Sequence, residues 1–282
     1  MIGVPQSRLL LLTPSLAIVG VLFVAPLAVL FVLSFWQVSM FDVVPDFTLA
    51  NYRKTLSGYA GTVSFTLALA ALIATITTVL GFWFAFAIRF HAGRAGAALL
   101  FVAMLTIFGG YLIKIYAWKT ILGASGILNT ALIALGLVTV PVEALIFSPT
   151  AVVITLCHYL LPFAILAIYG SLRGIDRVTL DAARDLGAPA LRVLTTIVLP
   201  QCQTGILAAF TLCFLLAAGD YVTPQLVGGT TSSMMGTFIQ SQFGLQLNAP
   251  LGSAMSFTVL ALCLLIVMIV GWLLRHALRW RR

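Results

Sequence analysis

Long apolar runs alternate with shorter polar stretches along the whole chain. A helix needs about 17–25 mostly apolar residues to cross the hydrocarbon core of a bilayer. Runs of that kind lie at Leu9–Phe35, Val63–Ile88, Ala97–Trp118, Thr150–Ser171, Gly205–Tyr221 and Leu251–Leu274. They predict an all-α, polytopic membrane protein with about six transmembrane helices. A further stretch, Ile127–Phe147, is interrupted by Gly136, Pro141 and Glu143. It reads as an external amphipathic or interfacial segment. Pro14 and Pro26 fall inside the first run and predict kinks, with neighbouring helices satisfying the freed carbonyls. That run exceeds the 7–15 residue core of a signal peptide, so we expect it to be retained as the first span.

The polar stretches are short. The longest, Trp36–Thr62, Lys119–Pro149 and Val222–Pro250, lie on one side of the expected membrane. None reaches the roughly 40 residues below which a domain rarely folds unaided. One transmembrane domain over 1–282 is therefore expected. The most distinctive polar stretch lies on the other side, within a loop over about 172–203: Asp181–Pro200, DAARDLGAPALRVLTTIVLP. It reads as two short helices and a turn. Asp176 is placed to cap the first helix, which contains Asp181 and Asp185. Gly187 suits the left-handed residue that ends it, and Pro189 suits the first turn of the second. Leu191, Leu194, Ile197 and Val198 give that second helix an apolar stripe.

Composition strengthens the membrane assignment. The chain is 62% hydrophobic and 8% charged, with mean hydropathy +1.15. Soluble domains carry about 25% charged residues. The net charge of +8 is placed asymmetrically. Eleven of the 15 Lys and Arg residues fall on the Asp181 side, and only Arg53, Lys54, Lys114 and Lys119 on the other. Basic loops stay cytoplasmic. Both termini and the Asp181–Pro200 loop are thus expected in the cytoplasm. The excess charge orients the protein and calls for no nucleic acid. The Arg275–Arg282 tail reads as part of the same anchor.

The chain lacks the residues of a motor or an enzyme. It contains no GxxxxGK[ST] phosphate loop, and Gly228–Thr231 reads as a turn. His91, His158 and His276 share no ligand spacing, and Cys157, Cys202, Cys213 and Cys263 form no CxxC. No catalytic residue, metal site or cofactor site is expected. Asp220, at the outer end of the fifth run, stands out because an ionisable group at membrane depth is costly. It reads either as a pathway residue favouring a cation, or as an ion-pair partner of Lys114 or Lys119, or as a cap through Thr223. Tyr221, Tyr116 and Trp118 lie nearby in the outer regions, as pathway candidates or interfacial anchors. Lys114 and Lys119 would favour an anion instead.

The loop carries a resemblance. Asp181, Ala182, Ala183, Gly187, Ile197, Leu199 and Pro200 are similar to the "EAA" motif of ABC importer permeases, Glu-Ala-Ala, three residues, Gly, nine residues, Ile-x-Leu-Pro, with Asp in place of Glu at 181. Tyr111–Leu132, Ala217–Gly244 and Ala249–Ser256 look like the spermidine/putrescine branch, which also handles opines, phosphonates and other small solutes. The resemblance implies a type I importer permease in a bacterial inner membrane. It implies that Asp181, Ala182, Ala183, Asp185, Gly187, Ile197, Leu199 and Pro200 couple to an ATPase. It further implies a homologous sister permease in a heterodimer, two ATP-binding subunits holding ATP and Mg, and an extracytoplasmic solute-binding protein, all embedded in or resting on membrane lipid. An ion-driven secondary carrier would need intramembrane carboxylates, and only Asp220 qualifies; the other alternative is a non-transporting membrane scaffold or assembly factor.

Overall fold

The computed structural model describes residues 13–14, 17–39 and 42–279. The chain is helical almost throughout. Its helices are α1 (Ala17–Leu33), α2 (Ala50–Gly58), α3 (Ala60–Phe90), α4 (Gly96–Leu105), α5 (Tyr111–Leu122) and α6 (Ile127–Ala134). After them come α7 (Pro149–Leu172), α8 (Arg177–Asp185), α9 (Ala190–Gln201), α10 (Gln203–Ala218), α11 (Met235–Gly244) and α12 (Ala249–Arg279). A small antiparallel hairpin, Gln37–Ser39 with Asp42–Val44, follows α1.

Among the described residues, three helices are long and apolar enough to cross a membrane unbroken: α3, α7 and most of α12. Two further spans are bent. Gly93–Phe108 meets Tyr111–Ala134 at 95°, and α9 meets α10 at 69°. The expected third run, Ala97–Trp118, is thus not one straight helix. Its break is Gly109–Gly110, where Gly110 takes φ +61°, a conformation that strains residues with a side chain. A period of hydrophobicity cannot reveal such a turn, because both halves are equally apolar. The first expected span coincides with α1 over 17–33, and the part before residue 13 lies outside the described residues. Ile127–Phe147 forms the eight-residue α6 and then irregular turns, too short to span.

The chain divides into two compact units. The first comprises residues up to 60 together with Phe238–Leu260. Its aromatic cluster brings Phe31 against Phe35 and Phe257, and Phe35 against Phe47 and Tyr52. The Asn51 side chain donates to the carbonyls of Ser34 and Trp36 at 3.1 and 2.7 Å, which fixes the chain where α1 ends.

The second unit, Gly61–Thr237 with residues from 261 on, contains the coupling-loop candidates. Its centre is the α7–α10 pair, where Leu156, Leu160, Ile168 and Phe214 are fully buried. Small residues set the helix spacing. A Cβ on Gly81 of α3 would lie 2.8 Å from the Ala164 Cβ on α7, and one on Gly205 of α10 would lie 2.8 Å from the Ser171 Cβ. Packing through small residues is how apolar helices approach closely where lipid offers no hydrophobic driving force. All four cysteines are buried and unpaired.

Candidate functional site

The α8–α9 hairpin grows from its capping chemistry. The Asp176 carboxylate accepts the Val178 N–H at 3.1 Å and starts α8. At the other end Gly187 sits at φ +78°. Its N–H donates to Arg184 O at 2.8 Å, and the Ala188 N–H reaches back to Ala183 O at 3.0 Å. This is the paired Schellman arrangement, which satisfies helix-end carbonyls through one left-handed residue. Pro189 then precedes α9 and its carbonyl accepts from Arg192 and Val193.

α8 buries Leu180 and turns Asp181, Ala182 and Asp185 outward, with Ala183 half-buried. Asp181 pairs with Arg184 at 3.3 Å, the one ion pair among the described residues. Val178, Leu186 and Leu191 are exposed, Leu186 to 89%. In α9 the buried positions are Val193, Val198 and Pro200, with Leu194, Ile197 and Leu199 half-buried and Leu191 in the open. The expected stripe is therefore corrected. A π turn over Leu194–Val198 widens the helix and shifts the face that a 3.6-residue period would bury. Beyond Pro200 the chain bends into α10.

Two arginines fix the hairpin's entry. Arg89, at the end of α3, donates to Ile175 O at 3.2 Å. Arg177, at the start of α8, donates to Arg89 O at 3.1 Å. No sequence spacing links positions so far apart, so this lacing was invisible beforehand.

At the far end of α10, Asp220 is enclosed by neutral donors. Tyr111 Oη donates to Asp220 Oδ1 at 2.6 Å and lies 2.7 Å from Thr223 Oγ1. The Val222 N–H donates to the same carboxylate oxygen at 3.0 Å. Oδ2 is buried without a hydrogen bond. The ion pair with Lys114 or Lys119 is not formed; the capping role is, one residue earlier than expected. Lys114 is only 8% exposed, makes no hydrogen bond through Nζ, and lies 5.4 Å from the centre of the Tyr159 ring. Tyr159 in turn stacks at a tilt on Tyr111, 4.6 Å between centroids. Asp220, Tyr111, Tyr159 and Lys114 thus form one polar group of opposite charges held apart by aromatic rings. Tyr111 and Tyr159 were not among the expected residues. Of those that were, Tyr221 and Tyr116 are exposed, and Trp118 stands edge-on to His158.

No family model matches the chain. It is 35% identical over 227 residues to the spermidine/putrescine transport system permease protein PotB of Escherichia coli K12, covering 80% of this chain and 82% of that protein. It is 34% identical over 223 residues to PotB of Haemophilus influenzae, covering 79% and 78%. Its fold is similar to that of a bacterial alginate ABC transporter crystallised with an alginate pentasaccharide-bound periplasmic protein, with TM-score 0.74, 15% identity and coverage of 94% and 92%.

Proposed function

The chain belongs to the PotB-type permeases of ABC importers, and from that premise we propose that α8–α9 is the element through which separate ATPase subunits drive it. The observation that carries this is the exposed, backbone-braced hairpin: outward Asp181, Ala182 and Asp185 beside uncovered Val178, Leu186 and Leu191. Small side chains allow close helix approach, and uncovered apolar groups await a groove. The partner subunits bind ATP and Mg and approach one another; α8 follows, and Arg89 and Arg177 pass the displacement to α3. Pro200 and the bend pass it to α10. Two permeases in this scheme, this chain and a homologous sister, alternate between outward-open and inward-open states. A solute-binding protein outside the membrane delivers the cargo. In the bacterial inner membrane both termini of this chain face the cytoplasm.

The relatives' names support a polyamine as solute, and Asp220, with one carboxylate oxygen unpaired, supports a cation. A second reading has its own observation. Lys114 is buried without a carboxylate partner, which favours a solute bearing an anionic group, such as an opine or phosphonate. Purification tests the main reading. Because every native cysteine is buried, a thiol introduced by Ala182→Cys is the accessible one and reports on contact. It should cross-link to a co-expressed ATPase subunit whose turnover rises with loaded binding protein. An Ala182→Cys complex with no cross-link and no stimulated turnover would sink the proposal.

A further inference from the structure

The second unit contains a cavity of about 350 Å³ where the end of α3 meets α4 and the start of α8. Arg89, Arg177 and Tyr169 line one part of it, and Leu100, Phe101 and Met104 line another. The arginines are each held by a neutral backbone carbonyl, at 3.2 and 3.1 Å. Arg89 Nε is buried with no hydrogen-bond partner. No carboxylate lines the cavity, and the described ion pair, Asp181–Arg184, engages neither arginine. Guanidinium groups stay charged under all ordinary conditions. Arg89 is half-buried and Arg177 exposed, so the cavity presents two charges and no carboxylate, and withdrawing the Arg89 charge from water without a counter-ion is costly.

The apolar part continues outward. Phe101 and Met104 are exposed, as are Leu99 and Leu105 on the same helix. The ligand that matches both parts has an anionic head with several acceptor oxygens and a hydrocarbon tail. We propose that this cavity holds an anionic phospholipid of the cytoplasmic leaflet, its phosphate on Arg89 and Arg177 and its acyl chain along Leu100, Phe101 and Met104. Arginine forks suit phosphate oxygens, and anionic headgroups draw basic residues on that side of a membrane. A free phosphate would satisfy the arginines and leave the apolar wall uncovered. The leaflet follows from the orientation proposed above; the site itself rests on the cavity. Because the same arginines fix the entry to α8, the bound lipid braces the hairpin.

Native mass spectrometry of the chain purified with its partner subunits, in mixed phosphatidylglycerol and phosphatidylethanolamine, tests this. Phosphatidylglycerol should be retained about tenfold over phosphatidylethanolamine, which carries the same phosphate but sets an ammonium beside the two guanidinium groups, a like-charge cost on the order of one exposed charge pair. Arg177→Gln should remove that preference, and Arg177→Lys should restore part of it. Arg177 also holds a backbone carbonyl, so Ala97→Glu provides a second variant. Ala97 lines the cavity from an exposed position in the first turn of α4, where a carboxylate favours the helix but repels phosphate. Equal retention of both lipids, or unchanged phosphatidylglycerol in Ala97→Glu, would overturn the proposal. So would displacement of the lipid by millimolar inorganic phosphate, which would mark a site for a soluble anion. The measurement needs neither solute nor ATP, so its failure leaves the coupling proposal standing.

Discussion

Gly187 is the residue on which the hairpin turns. A Cβ there would meet nothing within 4 Å, so its whole constraint is the backbone angle of +78°. Forcing an L side chain into that region costs about 1–2 kcal/mol, more if it is β-branched. We expect Gly187→Val to leave the protein inserted but to depress ATP-driven uptake strongly, and Gly187→Asn, which tolerates the left-handed region, to retain most of it. Uptake assays with ATPase pull-down distinguish the two; normal uptake with Val would refute the role. Asp220 poses a different question. In Asp220→Asn an oxygen remains to accept from Tyr111 and Val222, while the charge is lost and an amide NH2 takes the place of the unpaired Oδ2. If the carboxylate concentrates a cation, uptake of a polyamine should fall about tenfold with membrane abundance unchanged. An anionic solute should be unaffected or gain. Equal loss of both, with poor assembly, would reduce Asp220 to a structural cap. The sequence disclosed Gly187, Asp176 and Asp220, because each is a residue type with a narrow set of uses. It concealed Tyr111, Tyr159 and Arg177, because aromatic and basic residues near a membrane boundary already have an ordinary explanation.

Helices report a second kind of constraint. α3, α7 and α12 were legible as uninterrupted apolar runs. The bends at Gly109–Gly110 and after Gln201 were not, since hydropathy records what surrounds a residue and not the direction in which the chain leaves it. The π turn in α9 and the short hairpin at Gln37–Val44 escaped for a related reason: each is a local departure of a few residues from a regular period. Helix contact gives a direct test. Gly81→Ala places a methyl 2.8 Å from Ala164 Cβ, and such overpacking typically costs about 1–3 kcal/mol. Thermal unfolding in detergent should shift downward, and adding Ala164→Gly should recover part of the loss. The recovery is partial because the Ala164 backbone carbon would still be 3.2 Å away. No change in unfolding temperature for the single variant would mean that α3 and α7 separate freely.

For the molecule as a whole, the prediction concerns orientation. From the uneven distribution of basic residues we expect the ends and the α8–α9 hairpin on the same side. Reporter fusions after Arg94, Leu191 and Trp280 should read cytoplasmic. Fusions near Asp46, Val140 and Gln242 should read external. An internal signal at Val140 would mean that Ile127–Phe147 crosses the membrane, although α6 covers only eight residues of it.

The α8–α9 hairpin is shaped mainly by main-chain acceptors: Arg184 O and Ala183 O at its turn, Ile175 O and Arg89 O at its entry. Main-chain groups are indifferent to which side chain their residue bears. The outward positions 178, 182, 186 and 191 are therefore free to be rewritten without disturbing the geometry that presents them. A scaffold of this kind can exchange one motor for another by drift at its surface alone. If the hairpin is the ATPase contact proposed above, grafting the outward residues of a foreign permease onto these positions should redirect which ATPase binds while the fold stays intact.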